Sequence, residues 1–446
     1  MPEYKVPESL SDFSINFNQI KPLMTDTEAY YESSRCLFCY DAPCTKACPT
    51  GIDIPLFIRQ INTGNISGAA KTIYDSNFFG AACGKVCPTE VLCEGVCVYN
   101  KCGVRPLEIG RLQNYAAMNA VYSEEKLYTL PEIGGKKTAV IGAGPAGISC
   151  ACELRLGGCE VDIFEAEELP SGLTLFGIAP YKITNDEVLK EMEYLTKTFD
   201  LNIQYNKLIE KRQDLRRLEK HYDAVFLGIG LGSTIPTSLP GENLPGCIGA
   251  TEFIRELKLR KQDVTVGRTV VVLGGGNTAM DAASEAARLG ADSITLAYRR
   301  SKEEKKAYDF EYELAKGVGV RGIFNVSPVE IIGSSKVEGV KLRRTKTENG
   351  RITVIPESDF IIGCDMVIRA TGQEKKVNFL EQIESLEYDS LGKIVVDPVT
   401  FQTGNPKYFA GGDAVNGGAE VVNAAAEGKA AARGILAYLK KGGHHA

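Results

Sequence analysis

Apolar residues follow two rhythms along the chain. In the first 122 positions they recur with a helical period. Ile54, Phe57, Ile58 and Ile61 of "IDIPLFIRQINTGN" share one face of a 3.6-residue turn. "ISGAAKTIYDSN" repeats the pattern in shorter form, and "LEIGRLQNYAAMNAVY" predicts a third helix. After a charged stretch with Pro and Gly, "SEEKLYTLPEIGGKK", the rhythm changes. "TAVI" and "TVVVL" are short continuous apolar runs, each leading through glycines into a helix-period segment. A last piece, "YFAGGDAVNGGAEVVNAAAEGKAAARGILAYL", predicts a strand, a turn and a long Ala-rich helix. The pattern predicts an α/β chain with two Rossmann-like nucleotide-binding domains preceded by an α-helical domain. The expected bounds are 1–122 for the helical domain and 123–136 for a linker. One nucleotide domain is expected to be split between 137–265 and 366–446, with 266–365 forming the other.

The glycines give these domains a chemistry. Gly142-x-Gly144-x-x-Gly147 follows "TAVI", with Pro145 and Ala146 completing the turn. The first glycine makes the bend, the second admits a pyrophosphate to the backbone, and the third lets helix and strand pack closely. The phosphate then meets a helix N-terminus. Glu165 ends the next strand, "EVDIFEA", where an acid for ribose hydroxyls is expected about 20 residues on. The second fingerprint supplies Gly274, Gly275 and Gly276, then Asn277 and Thr278, with Ala279 in the packing position. Its next strand ends in Arg299-Arg300 instead of an acid. Arginine's fork of donors suits a 2′-phosphate, which favours NADPH over NADH; the competing reading is a solvated basic run from Arg299 to Lys306. "KYFAGGDAV" places Gly412 and Asp413 after a strand, with Val421 opening the final helix. In two-dinucleotide flavoproteins a carboxylate at the position of Asp413 meets the ribityl chain, so the first fingerprint is expected to hold FAD. "VIRATGQ", with Ala370, Thr371 and Gly372, reads as the connector returning from the nicotinamide domain.

Nine of the fourteen cysteines precede Gly103. The first burst is Cys36, Cys39, Cys44 and Cys48-Pro49. The second is Cys83, Cys87-Pro88, Cys93 and Cys97, followed by Cys102. Thiolates suit iron–sulfur clusters or zinc, and Cys-Pro pairs mark the ligand that crosses between clusters in two-cluster ferredoxins. Zinc would prefer paired C-x2-C knuckles, a spacing only Cys36 and Cys39 have. The reading is two [4Fe–4S] clusters, with zinc or plain reduced thiols as the competing ones. Two cubanes need eight ligands, and spacing alone leaves open which cysteine is spare.

The remaining composition narrows the function. A formal charge of −6 gives no reason to expect a nucleic-acid surface, and no apolar run approaches a membrane span. The start, "MPEYKVPESLSDFS", has neither the basic nor the apolar part of a secretory signal, so a cytoplasmic protein with reduced thiols is expected. Three histidines and no tryptophan leave little room for histidine-based catalysis.

From about Ser34 to Leu439 the chain resembles the flavin/iron–sulfur portion of dihydropyrimidine dehydrogenase and its bacterial NAD(P)-linked small subunit. More distantly it resembles the glutamate synthase small subunit and the large subunit of the ferredoxin–NADP transhydrogenase. The match rests on "RCLFCYDAPCTKACPT", "CGKVCPTEVLCEGVC" and "IGRLQNY". Glutamate synthase small subunits usually show Ile-Pro-Phe-Cys where this chain has Asp41-Ala-Pro-Cys44.

The resemblance implies one cluster on Cys36, Cys39, Cys44 and Cys97, and a second on Cys48, Cys87, Cys93 and Gln113. Cys83, the spacing choice for eighth ligand, and Cys102 would then be non-ligands. Transhydrogenase relatives often carry an acid at the Gln113 position, so the glutamine favours the dihydropyrimidine branch. Leu173 and Lys182 line up with flavin contacts, and Asn277, Thr278 and Lys306 with NADPH contacts. The chain departs from the family at Ser171-Gly172, at Gly177-Ile178-Ala179-Pro180, and at "SKEEKKAYDF" after the arginine pair. Fused relatives continue into an FMN barrel, for which no segment remains here. The implied protein is an electron-input subunit that takes a hydride from NADPH (or NADH) onto FAD. It would pass electrons singly through both clusters to an FMN/iron–sulfur catalytic subunit that reduces uracil or thymine, the two forming a heteromer.

Overall fold

The computed structural model describes residues 4–348 and 350–442. They form two compact units. One comprises Ile20–Leu175, Lys182–Leu231 and the chain from Lys375; the other comprises the residues up to Gln19, Phe176–Tyr181 and Gly232–Glu374. The chain therefore passes between units at 19/20, 175/176, 181/182, 231/232 and 374/375. Among the described residues, no helix is long and apolar enough to cross a membrane.

The strands, in chain order, are β1 (Lys137–Ile141), β2 (Glu160–Phe164), β3 (Asn202–Gln204) and β4 (Ala224–Leu227) in the first unit. The second unit holds β5 (Cys247–Gly249), β6 (Thr269–Leu273), β7 (Ser293–Tyr298), β8 (Arg321–Phe324), β9 (Val326–Ile332), β10 (Gly339–Glu348), β11 (Arg351–Gly363) and β12 (Met366–Arg369). The last strand, β13 (Tyr408–Ala410), belongs to the first unit.

Each unit is built on a five-stranded parallel sheet. The orders are β13-β4-β1-β2-β3 and β5-β12-β6-β7-β8. The apolar runs that announce β1 and β6 are buried on both faces, as central parallel strands must be. In both sheets the glycine-bearing strand lies where the strand order reverses direction, which is where a crevice opens beyond the carboxyl ends.

The helical part of the first unit follows the apolar period. Helices Ile54–Asn62, Ile66–Ser76 and Ile109–Tyr122 occupy the expected stretches. Ile54, Phe57, Ile58 and Ile61 form the buried face of the first of them. Shorter helices at Asp26–Ser34, Pro43–Ala47 and Gly80–Val86 carry or flank the cysteine bursts. Ser123 to Lys136 form neither helix nor strand.

Two features differ from the expectation. Residues 4–19, placed with the helical domain by position alone, belong to the second unit. Phe13 and Phe17 stack with centroids 4.4 Å apart and enter a core with Met280, Ala283 and Ala287. Asn16 donates its amide to the Arg288 carbonyl at 2.7 Å, and Arg288 donates back to the Asn16 carbonyl at 2.5 Å. The second feature is an antiparallel sheet, β11-β10-β9, inserted between β8 and β12. The expected domain bounds shift as well: residues 176–181, 232–265 and 366–374, expected in the split nucleotide domain, belong to the second unit, because β5 and β12 complete its sheet. Phe17→Ala should cost about 3 kcal/mol by emptying a buried ring site, read as a lowered urea midpoint.

Candidate functional site

In the first unit the turn after β1 is shaped by what a side chain would strike. Gly142 has φ +99, and a Cβ there would lie 2.4 Å from the Gly228 carbonyl oxygen. A Cβ on Gly147 would lie 1.9 Å from the Gly142 oxygen. Gly144 is different: a Cβ there meets nothing within 4 Å. The turn is thus tight beneath and open where a pyrophosphate would approach helix Pro145–Leu156. Glu165 is buried, and its carboxylate accepts the Ala143 N–H at 2.7 Å and the Glu167 N–H at 2.9 Å. Each carboxylate oxygen keeps a further acceptor site.

The distant Asp413 turn is brought against this one. Gly412 has φ +75, and its Cβ would meet the Ala146 Cβ at 2.9 Å. Burial pushes the Asp413 carboxyl up, against the Ala419 N–H and the charge of Lys375, which draw it down. Glu427, within helix Val421–Lys440, accepts the Gly412 N–H at 2.6 Å and the Asn416 amide at 3.1 Å. Val421 opens this helix, Lys182 is buried, and Leu173 is exposed at 38%. Glu427 and Lys375 were not anticipated. An acid isolated within "NAAAEGKAAARG" was the available signal for Glu427; Lys375 had none.

The cysteines divide into two sets in the same unit. Cys36, Cys39, Cys44 and Cys97 line one cavity with apolar walls, including Ile54 and Ile58. Burial pushes the Cys44 thiol up to about 11, and the nearness of Cys36 and Cys97 adds to it. Cys36 is raised by burial and by Cys39 and Cys97. Such thiols keep their protons until a metal displaces them. Around the second set, Cys93 lies within electrostatic reach of Cys87 and Cys48. Buried Cys83 packs its thiol against Cys87 and so stands beside this set, while Cys102 is exposed. Gln113 donates its amide nitrogen to the Gly80 carbonyl at 2.7 Å, so the amide oxygen is the end that could act as a ligand. Among the described residues, no group of three or more histidine, cysteine or carboxylate side chains converges as on a single metal ion.

Helix Gly80–Val86, which carries Cys87 at its C-cap, is anchored by Glu191. That carboxylate is buried and accepts the N–H groups of Ala81 at 2.7 Å and Ala82 at 2.9 Å, with the Tyr74 hydroxyl at 3.3 Å. Burial pushes Glu191 up to about 7 despite these bonds. Nothing in the sequence distinguishes it from the other acids of its helix.

In the second unit the turn after β6 repeats the logic. Gly274 (φ +157) passes the Ala370 carbonyl, which a Cβ would meet at 2.5 Å, and a Cβ on Gly275 would strike the Tyr298 ring. Gly276 opens on nothing within 4 Å, and Ala279 is fully buried in the packing position. Asn277 accepts the Tyr308 N–H at 3.1 Å, and the Gly275 carbonyl accepts the N–H groups of Lys306 and Ala307 at 3.0 and 2.9 Å. Thr278, Arg299 and Lys306 are exposed. Thr371 donates to the Ile235 carbonyl at 3.1 Å, beside Gly372 at φ +105. The sites expected from the sequence therefore gather at the carboxyl ends of β6, β7 and β12.

Two outcomes follow. Gly147→Ala should abolish stable flavin binding, because the added methyl meets fixed backbone; flavin absorbance of the purified variant measures it. A carboxyl protonated more readily folded than unfolded stabilises fully below its unfolded value of 4.5, and loses that contribution as pH rises through about 7. Glu191→Gln should therefore flatten the decline of the urea midpoint between those limits.

Comparison with known proteins gives these sites a family. Residues 14–125 match the dihydropyrimidine dehydrogenase domain II, 4Fe-4S cluster family, and residues 136–428 match the pyridine nucleotide-disulphide oxidoreductase family. The glutamate synthase [NADPH] small chain of Escherichia coli (strain K12) is 34% identical, over 96% of this chain and 94% of its own. The NAD-dependent dihydropyrimidine dehydrogenase subunit PreT of Salmonella typhimurium is 32% identical, over 95% and 97%. FprA of Mycobacterium tuberculosis in complex with NADPH shares the fold, with a TM-score of 0.57 at 19% identity over 70% of this chain and 87% of that one. Thioredoxin reductase of T. acidophilum does so at 0.53 and 22%, over 68% and 99%. The expected cofactor set of FAD, [4Fe–4S] clusters and a nicotinamide nucleotide agrees with these matches. The chain belongs to the pyridine nucleotide-disulphide oxidoreductases that carry an iron–sulfur domain of the dihydropyrimidine dehydrogenase type, and it is an NAD(P)H-dependent oxidoreductase.

Proposed function

We propose that the protein is the electron-input subunit of a larger complex. FAD is assigned to Gly142–Gly147, Glu165 and Asp413, and NADPH to Gly275–Ala279 with Arg299, Arg300 and Lys306. The first cluster is assigned to Cys36, Cys39, Cys44 and Cys97, and the second to Cys48, Cys87, Cys93 and the Gln113 oxygen. Once bound, the flavin supplies the conversion of a two-electron donor into single electrons that iron–sulfur clusters accept. The chain's own residues bind, orient and insulate, and no side chain is needed as acid or base.

One observation carries this reading. The turn assigned to the flavin and both thiol sets share one compact unit. Glu420 caps helix Val421–Lys440 next to the Asp413 turn, and lies within electrostatic reach of Cys87. The start of this helix thus lies near both the Asp413 turn and Cys87.

The partner proposed is an FMN/iron–sulfur subunit that reduces uracil or thymine at the 5,6 bond. Support comes from Gln113, from the match to the dihydropyrimidine dehydrogenase domain and from the PreT relatives. A glutamate synthase partner is favoured by the somewhat higher identity to that enzyme's small chain. Pull-down from the native host separates the two: a pyrimidine-type FMN barrel supports the first, and a glutamine amidotransferase subunit the second. Anaerobically purified protein should contain flavin, iron and sulfide and should bleach on adding NADPH; failure to bleach with either nicotinamide nucleotide overturns the input role.

The cofactor preference has its own test. Arg299→Glu combined with Arg300→Ala should raise the NADPH KM at least tenfold while changing the NADH KM little, as expected for about 1.4 kcal/mol or more of lost phosphate binding. Equal changes in both constants would remove the 2′-phosphate assignment.

A further inference from the structure

The antiparallel sheet of the second unit contributes nothing to the glycine turns, yet its middle strand grips the loop that carries the arginine pair. Thr345 of β10 is 3% exposed. Its hydroxyl donates to the Arg299 carbonyl at 2.9 Å. Its N–H donates to the Asn325 carbonyl at 2.8 Å, and the Asn325 N–H donates to the Arg300 carbonyl at 2.9 Å. Asn325 sits at φ +57, a left-handed conformation that asparagine tolerates better than most residues. Thr347, two residues on and hence on the same side of the strand, donates its hydroxyl to the Glu304 carboxylate at 3.1 Å. That carboxylate also accepts the Ser301 N–H at 3.2 Å.

The far end of the loop is held as well, by the bonds from Lys306, Ala307 and Tyr308 to the Gly275 carbonyl and Asn277. Residues 299–308 are therefore pinned at the start, the middle and the end. Every pin uses backbone, a hydroxyl, an amide or Glu304. None uses the guanidiniums of Arg299 and Arg300 or the ammonium of Lys306, which form no salt bridge among the described residues. The strand is shaped for the grip. Its pairing with β11 shifts register between Arg343 and Thr345, where the Arg344 N–H turns to the Ser358 hydroxyl at 3.1 Å. Such bulges re-aim side chains next to binding sites.

We propose that Thr345 is a positioning residue for cofactor selectivity: by fixing the Arg299 carbonyl directly and the Arg300 carbonyl through Asn325, it aims both guanidiniums at the 2′-phosphate of NADPH. The proposal rests on the assignment of Arg299 and Arg300 to that phosphate. Its physical basis is preorganisation. Two arginines on a wandering loop lose rotational freedom each time they bind, whereas on a pinned loop that loss is already met in folding. The acid nearest the arginines is itself held by the strand and the loop backbone. Thr347 and the Ser301 N–H both bond the Oε2 oxygen of Glu304; Arg300 acts on this acid only through its charge, and neither guanidinium forms an ion pair with it.

The test uses the full chain and two probes, 2′,5′-ADP and 5′-AMP, whose binding is measured calorimetrically without any turnover. Thr345→Val keeps the shape and removes the hydroxyl. It should weaken 2′,5′-ADP about fivefold, roughly the worth of one neutral hydrogen bond, leave 5′-AMP unchanged, and raise the NADPH KM with kcat unaltered. Thr345→Ser should restore the native values. Thr347→Ala, which empties no fully buried position, should shift 2′,5′-ADP in the same direction by less. Equal weakening of both probes, or of neither, overturns the positioning role. The doubly substituted arginine variant separates the two failures. If that variant discriminates between the probes and Thr345→Val does not, only the grip is wrong; if it too fails to discriminate, the phosphate assignment falls and takes the grip with it.

Discussion

A single close approach organises the unit that carries the first glycine turn and the cysteines. Gly428, in the long final helix, passes the Ala146 carbonyl so nearly that a Cβ would lie 2.0 Å from its oxygen. Only hydrogen at that position lets helix Val421–Lys440 lie flat on helix Pro145–Leu156. From that contact the rest follows. The Asp413 turn is held against the first fingerprint, Glu427 reaches the Gly412 N–H, and Glu420 comes within electrostatic reach of Cys87. The same helix sends Lys429 to the Asp75 carbonyl, over the Phe78 ring and toward Glu153, so a buried ammonium also fastens it to the helical segment. A charge buried without such partners would be costly; with them it fixes one orientation.

What could be read in advance has a common physical character. Glycine turns and cysteine bursts are local. Their chemistry depends on neighbours within a few residues, so spacing alone exposed Gly142–Gly147, Gly275–Ala279 and the two cysteine bursts, though the division of the cysteines into ligand sets came only from the family resemblance. The three expected helices of the helical segment were equally legible, since a half-buried helix must repeat its apolar residues every three to four positions. The eighth cluster ligand was not. Cys83 and Gln113 are both buried near Cys87, and only the donated bond from Gln113 to Gly80 says which atom the glutamine presents.

What escaped was non-local. Nothing in "SDFSIN" indicates that Phe13 and Phe17 complete a core formed by residues far along the chain. The antiparallel insert was missed because its outer strand, β11, is exposed along most of its length and lacks the clean alternation of a half-buried strand. Glu191 and Thr345 look ordinary in sequence because what distinguishes them is burial against backbone groups donated or offered by other elements.

The placement of residues 4–19 bears on how the chain is made. Asn16 meets Arg288 across 272 positions of sequence, and the sheet they serve is complete only once β12 is in hand. A ribosome delivers the earliest helix long before its binding surface exists. The two phenylalanines must wait, apolar and uncovered, while most of the first unit's helical segment is synthesised and can collapse on its own local contacts. The order of assembly is thus inverted relative to the order of translation: a segment made before its docking surface is among the last to be covered.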